Sequence, residues 1–408
     1  MGRSFDIVVL GSAPWATDAP LNCHHITRRL AVQHRVLYIE PTAMRTPNPL
    51  HPSDLAKMTR RLRSWAQRGT RPARNSHQPV EPQIWTIAPM MWPAPRLASL
   101  KQWNRRQLIN ATERAMKAIG MRQALLWSFL PAGIDLVGHA SALGTIYHCV
   151  DDYAGNPGVN AAALREVERR MIKSADVCLA TSAPLAQRVK RDGAKAVHCV
   201  PNVSEVERFE SSDAPVPPEL AELPRPRVGY VGNIAGYKVD IKLLATLARD
   251  RPDVSLVLIG GVGGGDPTTN VRPLRRLPNV HLLGARSHDE LPAYVHGLDV
   301  CLIPFRRSSV TDCSLPLKTF EYLAAGKPVV STPIAALTSE PLDDVLTYAD
   351  SAADFAEAID RLLRDNTPEL ISRRQAIARD YSWDRRFPQL HDIARQLVAS
   401  RTAAAPVA

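Results

Sequence analysis

What this chain lacks bounds what it can be. No run of about 18 or more apolar residues occurs in its 408 residues, so no segment is long enough to span a bilayer as a helix. The apolar part of the opening MGRSFDIVVLGSAP is too short for a secretory leader and reads as a first core strand. Asp6 stands where a myristoylation signal needs Ser or Thr. Cysteine is sparse and scattered, at Cys23, Cys149, Cys178, Cys199, Cys301 and Cys313, with no CxxC pair. That excludes a disulfide framework and a cysteine zinc site, and it predicts a reducing compartment. No DxD follows a strand and no His/Asp pair sits at ligand spacing, so no metal is expected; Asp151 and Asp152 are adjacent. The run GGVGGGD at 260–266 fails the dinucleotide fingerprint because Asp266 occupies the last glycine position, which argues against a nicotinamide cofactor. Aromatic residues are only 6% of the chain and no basic sheet interleaves them. The net charge of +11 therefore does not predict a nucleic-acid partner; an anionic lipid surface is the other candidate.

What is present is the composition of a globular protein, 45% hydrophobic and 22% charged, long enough for two domains. FDIVVL (5–10), a turn-rich loop, a helix over 22–33 and the strand RVLYIEP (35–41) open a parallel doubly wound α/β sheet. Strands at QIWTIAP, ALLWSFLP and GTIYHCVDDY, with helices over 99–119 and 159–174, continue it. The proline-rich 210–227 reads as a linker between a first domain, 1–209, and a second, 228–380, which begins with RVGYVGNI. The tail 401–408 is expected to be disordered. Between Leu55 and Arg68 the basic residues Lys57, Arg60, Arg61, Arg63 and Arg68 alternate with Leu55, Met58, Leu62 and Trp65. That stretch fits either a solvated loop or a helix lying on a membrane surface or acceptor.

The most informative stretch is Pro316 to Val330, PLKTFEYLAAGKPVV. Lys318 and Glu321, spaced i, i+3, share a helix face, while Phe320, Leu323 and Ala324 form an inward face. Pro316 suits a helix start and Gly326 its stop. The spacing predicts an open helix N-terminus with a cation and a carboxylate beside it. Free N–H groups and the dipole there favour phosphate, and the carboxylate can accept both ribose hydroxyls. Ser314, Pro316, Leu317, Lys318, Thr319 and Glu321 are thus candidate residues for a nucleotide diphosphate. In VGYVGNI, Gly232 would let a diphosphate approach the backbone, with Asn233 and Lys238 nearby. Asp151 and Asp152 close the strand GTIYHCVDDY and read equally as a proton acceptor or as loop-stabilising carboxylates.

These residues resemble the donor-binding signature of GT-B glycosyltransferases, especially bacterial members of the broad family 4. The resemblance implies two Rossmann-like domains facing across a cleft, with the donor on the C-terminal one and Glu321 on its ribose. It also implies that a final segment, 381–400, packs back on the first domain. Two positions depart from the retaining pattern: Cys313, with Asp312 beside it, replaces a second acid, and Asn233 replaces an arginine. APLNCHHITRRLA, IYHCVDD and SLPLKTFEYLA are similar to the xanthan-type inverting β-glucuronosyltransferases. That similarity places the catalytic base on Asp151; the GT-B arrangement implies that the first loop, with Trp15, Asp18, His24 and His25, meets the acceptor, and His24 or His25 is the alternative base. The expected function is transfer of a sugar from a nucleotide-diphosphate sugar, UDP-linked, to a lipid-linked or glycan acceptor in cell-surface or extracellular polysaccharide assembly. The expected place is the cytoplasmic face of the plasma membrane. A UDP-sugar 2-epimerase and a non-catalytic nucleotide-sugar-binding protein remain alternatives.

Overall fold

Short β-branched runs make the strands. The fold was obtained as a computed structural model, which describes residues 4–17, 20–41, 78–92, 97–211 and 214–404. The basic stretch from Leu55 to Arg68 and the candidate Asp18 lie outside the described residues.

The chain divides into two compact units. The first comprises 1–180, 186–198 and 389–408. Its sheet runs β3 (Ile84–Ile87), β2 (Val36–Ile39), β1 (Asp6–Leu10), β4 (Ala124–Ser128), β5 (Thr145–Cys149), β6 (Val177–Ala180), β7 (Val197–Cys199). The pairings from β3 to β6 are parallel. β1, β2, β4, β5 and β6 are almost wholly buried, which is why they read as continuous apolar runs rather than alternating ones.

The second unit comprises 181–185 and 199–388. Its sheet runs β10 (Val280–Gly284), β9 (Ser255–Ile259), β8 (Arg227–Val231), β11 (Val300–Ile303), β12 (Val329–Ser331), β13 (Leu346–Tyr348), all parallel. Both units are thus doubly wound α/β layers of the Rossmann type.

Four details differ from the sequence reading. The second unit begins at Cys199 rather than after 209. Val206, Phe209 and Leu220 are fully buried in its core, so 210–227 is largely part of that unit rather than a free linker. β5 stops at Cys149, which leaves Asp151 and Asp152 in the loop that follows it. The helix Pro368–Arg379 was not anticipated. The tail also stays ordered longer than expected, because the helix Trp383–Ala404 runs through 401–404. There Arg401 pairs with Asp176, and the Thr402 hydroxyl donates to Val398 O at 2.7 Å.

Candidate functional site

The helix Leu317–Ala324 carries the organising stretch and belongs to the second unit. Phe320, Tyr322, Leu323 and Ala324 are fully buried, and Phe320 stacks on Tyr381 at 3.9 Å between ring centroids. Gly326 ends the helix, and the Lys327 ammonium donates to His296 O and Leu298 O at 2.7 and 2.8 Å. Lys327 thus serves carbonyls of a neighbouring segment.

The helix begins after Pro316, and the loop before it is pinned twice. Ser182 Oγ donates to Cys313 O at 2.7 Å, and Asn202 Nδ2 donates to Leu315 O at 3.2 Å. Ser314 N donates to Thr311 O and Thr319 N to Pro316 O, both at 3.1 Å. Thr319 Oγ1 is buried and unpartnered. Tyr322 ties the helix to β8, its hydroxyl accepting from Val231 N at 2.8 Å.

Lys318 brings its charge to the end of β8. The Lys318 ammonium lies 4.8 Å from the Tyr230 ring centroid and 5.3 Å from that of Phe305. Gly232, at φ +141°, has that ammonium so close that an added Cβ would stand 2.9 Å from it. Gly260, at φ +148°, is tighter still: its Cβ would fall 1.9 Å from Gly232 O. Both positions need a backbone that side chains rarely adopt. Burial pushes the Lys318 pKa down to about 8, the Lys238 charge acts the same way, and the Glu321 carboxylate opposes both.

Glu321 Oε1 accepts from Ser204 Oγ at 3.2 Å. Burial raises its pKa above the usual carboxylate range; Lys318, His288 and the Ser204 hydroxyl oppose this, and Glu205 adds to it. His288 Nε2 is 3.3 Å from Glu205 Oε2. Ser182, Asn202, Ser204, Glu205 and His288 escaped the sequence reading, because each lies far from the 316–330 stretch in the chain. Only Ser182 and Asn202 left a visible trace, as the turn residues ending ADVCLATS and KAVHCVPN.

Asn233, standing where a cationic clamp would have arginine, is used locally. Its Nδ2 donates to Gly264 O at 2.6 Å and its Oδ1 accepts from Gly264 N at 3.1 Å, holding the 260–266 loop. Asp312 Oδ1 accepts from Ala335 N at 2.9 Å, so this carboxylate caps a neighbouring turn. Lys238 lies over the Tyr237 ring at 5.6 Å, and its carbonyl accepts from Arg306 N.

In the first unit, Trp15 and His24 come together around Tyr38, with ring centroids 5.5 Å apart and Trp15 5.0 Å from Tyr38. The Arg28 guanidinium sits 5.0 Å over Trp15. His24 is fully buried; its Nδ1 accepts from Leu21 N at 2.9 Å and its Nε2 donates to Pro14 O at 2.9 Å. Serving as a base would cost His24 one of those bonds. His25 is half-buried beside it. Asp151 is half-buried, with Oδ1 accepting from Asp152 N at 2.9 Å. Asp152 is 2% exposed and paired with Arg165 at 2.5 Å. Among the described residues no group of three or more His, Cys, Asp or Glu is arranged for a metal ion, and no helix is long and apolar enough to cross a membrane.

Comparison with known proteins bears on the family and the fold. Residues 225–365 match the family model described as glycosyl transferases group 1. The chain is 31% identical over 261 residues to the putative teichuronic acid biosynthesis glycosyltransferase TuaH of Bacillus subtilis, covering 60% of this chain and 65% of that one. It is 30% identical over 182 residues to a D-inositol 3-phosphate glycosyltransferase of Corynebacterium aurimucosum, covering 41% and 42%. The chain thus spans less than two thirds of the length of these curated relatives. Among solved structures it is similar to sucrose-phosphate synthase from Thermosynechococcus elongatus, with TM-score 0.68, 19% identity and coverage of 97% and 100%. It is also similar to Anabaena HepE in complex with UDP-glucose, with TM-score 0.63, 14% identity and coverage of 98% and 100%. The chain has the GT-B fold of two Rossmann-like domains, and its residues 225–365 are a domain of the glycosyl transferases group 1 family.

Proposed function

We propose that this protein transfers a sugar from a nucleotide-diphosphate sugar, UDP-linked, to a lipid-linked or glycan acceptor in cell-surface or extracellular polysaccharide assembly. One observation carries the reading: the Lys318 ammonium over the Gly232 backbone at the start of one helix, with the buried Glu321 carboxylate interacting with it from the next turn. A diphosphate on the free N–H groups of Leu317 and Lys318 would meet both the dipole and the ammonium. A ribose on Glu321 would share that carboxylate with Ser204. The likeness to HepE, solved with UDP-glucose, supports the donor class, and the likeness to TuaH, a putative teichuronic acid biosynthesis glycosyltransferase, supports the pathway.

The chemistry follows from Asp151. The acceptor hydroxyl gives its proton to the Asp151 carboxylate while its oxygen bonds the anomeric carbon. The nucleoside diphosphate leaves with the electron pair of the broken bond, and configuration inverts. The basic stretch from Lys57 to Arg74 holds the protein to anionic lipid at the cytoplasmic face of the membrane; co-sedimentation with anionic vesicles, reversed by salt, is the expected behaviour.

A thermal-shift panel of nucleotide sugars tests the donor, since a ligand at 100 times its Kd adds about 2.7 kcal/mol to stability. Product analysis without acceptor separates the chemistries: an epimerised donor would replace this reading by a 2-epimerase, whereas slow release of UDP supports transfer. Stabilisation by a donor that is never consumed would leave a binding protein.

A further inference from the structure

The loop carrying Asp151 is held by a chain of hydrogen bonds and ion pairs that begins on β5 and ends at Asp151. Glu168, 3% exposed on the helix Ala161–Ser174, accepts from the β5 residue Tyr147 through its hydroxyl at 2.8 Å. Arg188 grips the same carboxylate with its two terminal guanidinium nitrogens, at 2.8 and 3.0 Å. Arg165, one turn earlier on the Glu168 helix, lies 3.5 Å from Glu168 and donates to Asp152 Oδ2 at 2.5 Å. Asp152 N in turn donates to Asp151 Oδ1 at 2.9 Å. Its inner carboxylates, Glu168 and Asp152, are almost wholly buried, while Asp151 at its end is half-buried.

We propose that Arg165 is a positioning residue for the transfer reaction: by fixing Asp152 it sets the loop backbone whose N–H orients the Asp151 carboxylate. The proposal rests on the reading of Asp151 as the base. The geometry favours it over a purely cohesive role. Glu168 is already satisfied by Arg188 and Tyr147, so its burial does not require Arg165. Arg165 instead spends its closest contact on the residue next to Asp151. Asp152 Oδ1 has no partner, so Arg165 is the one described side chain bonded to that carboxylate. Losing it frees the loop, and misplacement of a reacting group by about 1 Å can cost about 10²-fold in rate.

The test compares Arg165→Met, Arg165→Lys and Asp151→Asn in the full chain, following nucleoside diphosphate released from the nucleotide sugar that the wild type turns over. Arg165→Met should lower kcat about 10²-fold, leave the donor KM within about twofold and move the limb of the pH profile that reports the base. Arg165→Lys, which keeps a cation on Asp152, should recover much of the loss. Hydrogen exchange over 150–156 should quicken in Arg165→Met, while melting of the protein as a whole stays near that of wild type. If Asp151→Asn is dead but Arg165→Met keeps wild-type kcat and pH profile, the positioning role is wrong and the base stands. If Asp151→Asn stays active, the base reading fails and takes this inference with it. If Arg165→Met loses activity only in proportion to lost folded protein, and Arg165→Lys does the same, the role is structural and the inference fails.

Discussion

Replacing Lys318 by Met removes the cation that faces the proposed diphosphate. The structure sets the size of the effect. The Lys318 ammonium is wedged between the Tyr230 and Phe305 rings and the Gly232 backbone, with a pKa of about 8. At pH 7 it is roughly 90% protonated and at pH 9 roughly 10%. A bound diphosphate favours the protonated form, so above pH 8 the wild-type Kd for UDP should rise about tenfold per pH unit, with one proton taken up on binding. A hydrogen bond to a charged group contributes about 1.5–3 kcal/mol, so Lys318→Met should weaken UDP by about 10- to 100-fold at pH 7. The variant should also lose the pH dependence above 8. Calorimetric titration with UDP in pairs of buffers of different ionisation enthalpy, from about pH 7.5 to 9.5, measures affinity and proton uptake together. A wild-type Kd that is flat across this range, or a Lys318→Met variant as tight as wild type, refutes the reasoning.

Glu321→Gln should separate stability from binding. Because burial raises the Glu321 pKa in the folded protein, its ionised form opposes folding at neutral pH, so the variant should melt at or above the wild-type temperature. The same variant should bind UDP about tenfold or more weakly, and a lower Tm would contradict the assignment. Gly260→Ala should destabilise more than Gly232→Ala in urea unfolding, with strain on the order of 1–3 kcal/mol as a floor for either. The added Cβ meets a carbonyl at Gly260 but the flexible end of a lysine at Gly232, and equal losses would refute this. His34 is buried, accepts from Phe5 N at 3.2 Å and lies 2.8 Å from His391 Nε2. Burial, the His391 charge and Arg395 lower its pKa to about 4, against a backbone bond from Phe5. The unfolded chain then binds more protons, so stability falls as pH drops from 6.5 toward 4, by on the order of 3 kcal/mol from this group. Urea unfolding at about pH 7 and pH 4.5 should show that loss, and His34→Gln should lose less; equal loss would refute it.

The two sheets were legible because buried parallel strands write themselves as unbroken runs such as FDIVVL and RVGYVGNI. The helix bearing Lys318 and Glu321 was legible because its start, stop and two faces all lie within one short window. What supports that helix was not. Ser182, Asn202 and Ser204 reach the loop before it, or Glu321 itself, from 113 to 131 residues away, and no local pattern marks such contacts. Asn233 looked like a weakened clamp, yet its amide serves Gly264, a use visible only once the 260–266 loop folds back on it. Likewise 210–227 looked like a linker by composition, while Leu220 anchors it in a core that its prolines do not advertise. Asp151 and Asp152 were indistinguishable as a pair of letters. The Arg165 contact separates them, burying one and leaving the other half-exposed.

The most direct test of the central claim is a crystal structure of the protein with UDP. The account predicts the diphosphate on the N–H groups at the start of the helix Leu317–Ala324, its charge facing Lys318 across Gly232, and both ribose hydroxyls on Glu321. Ribose density away from Glu321, or a diphosphate held elsewhere in the second unit with Lys318 still packed on Tyr230 and Phe305, would contradict it.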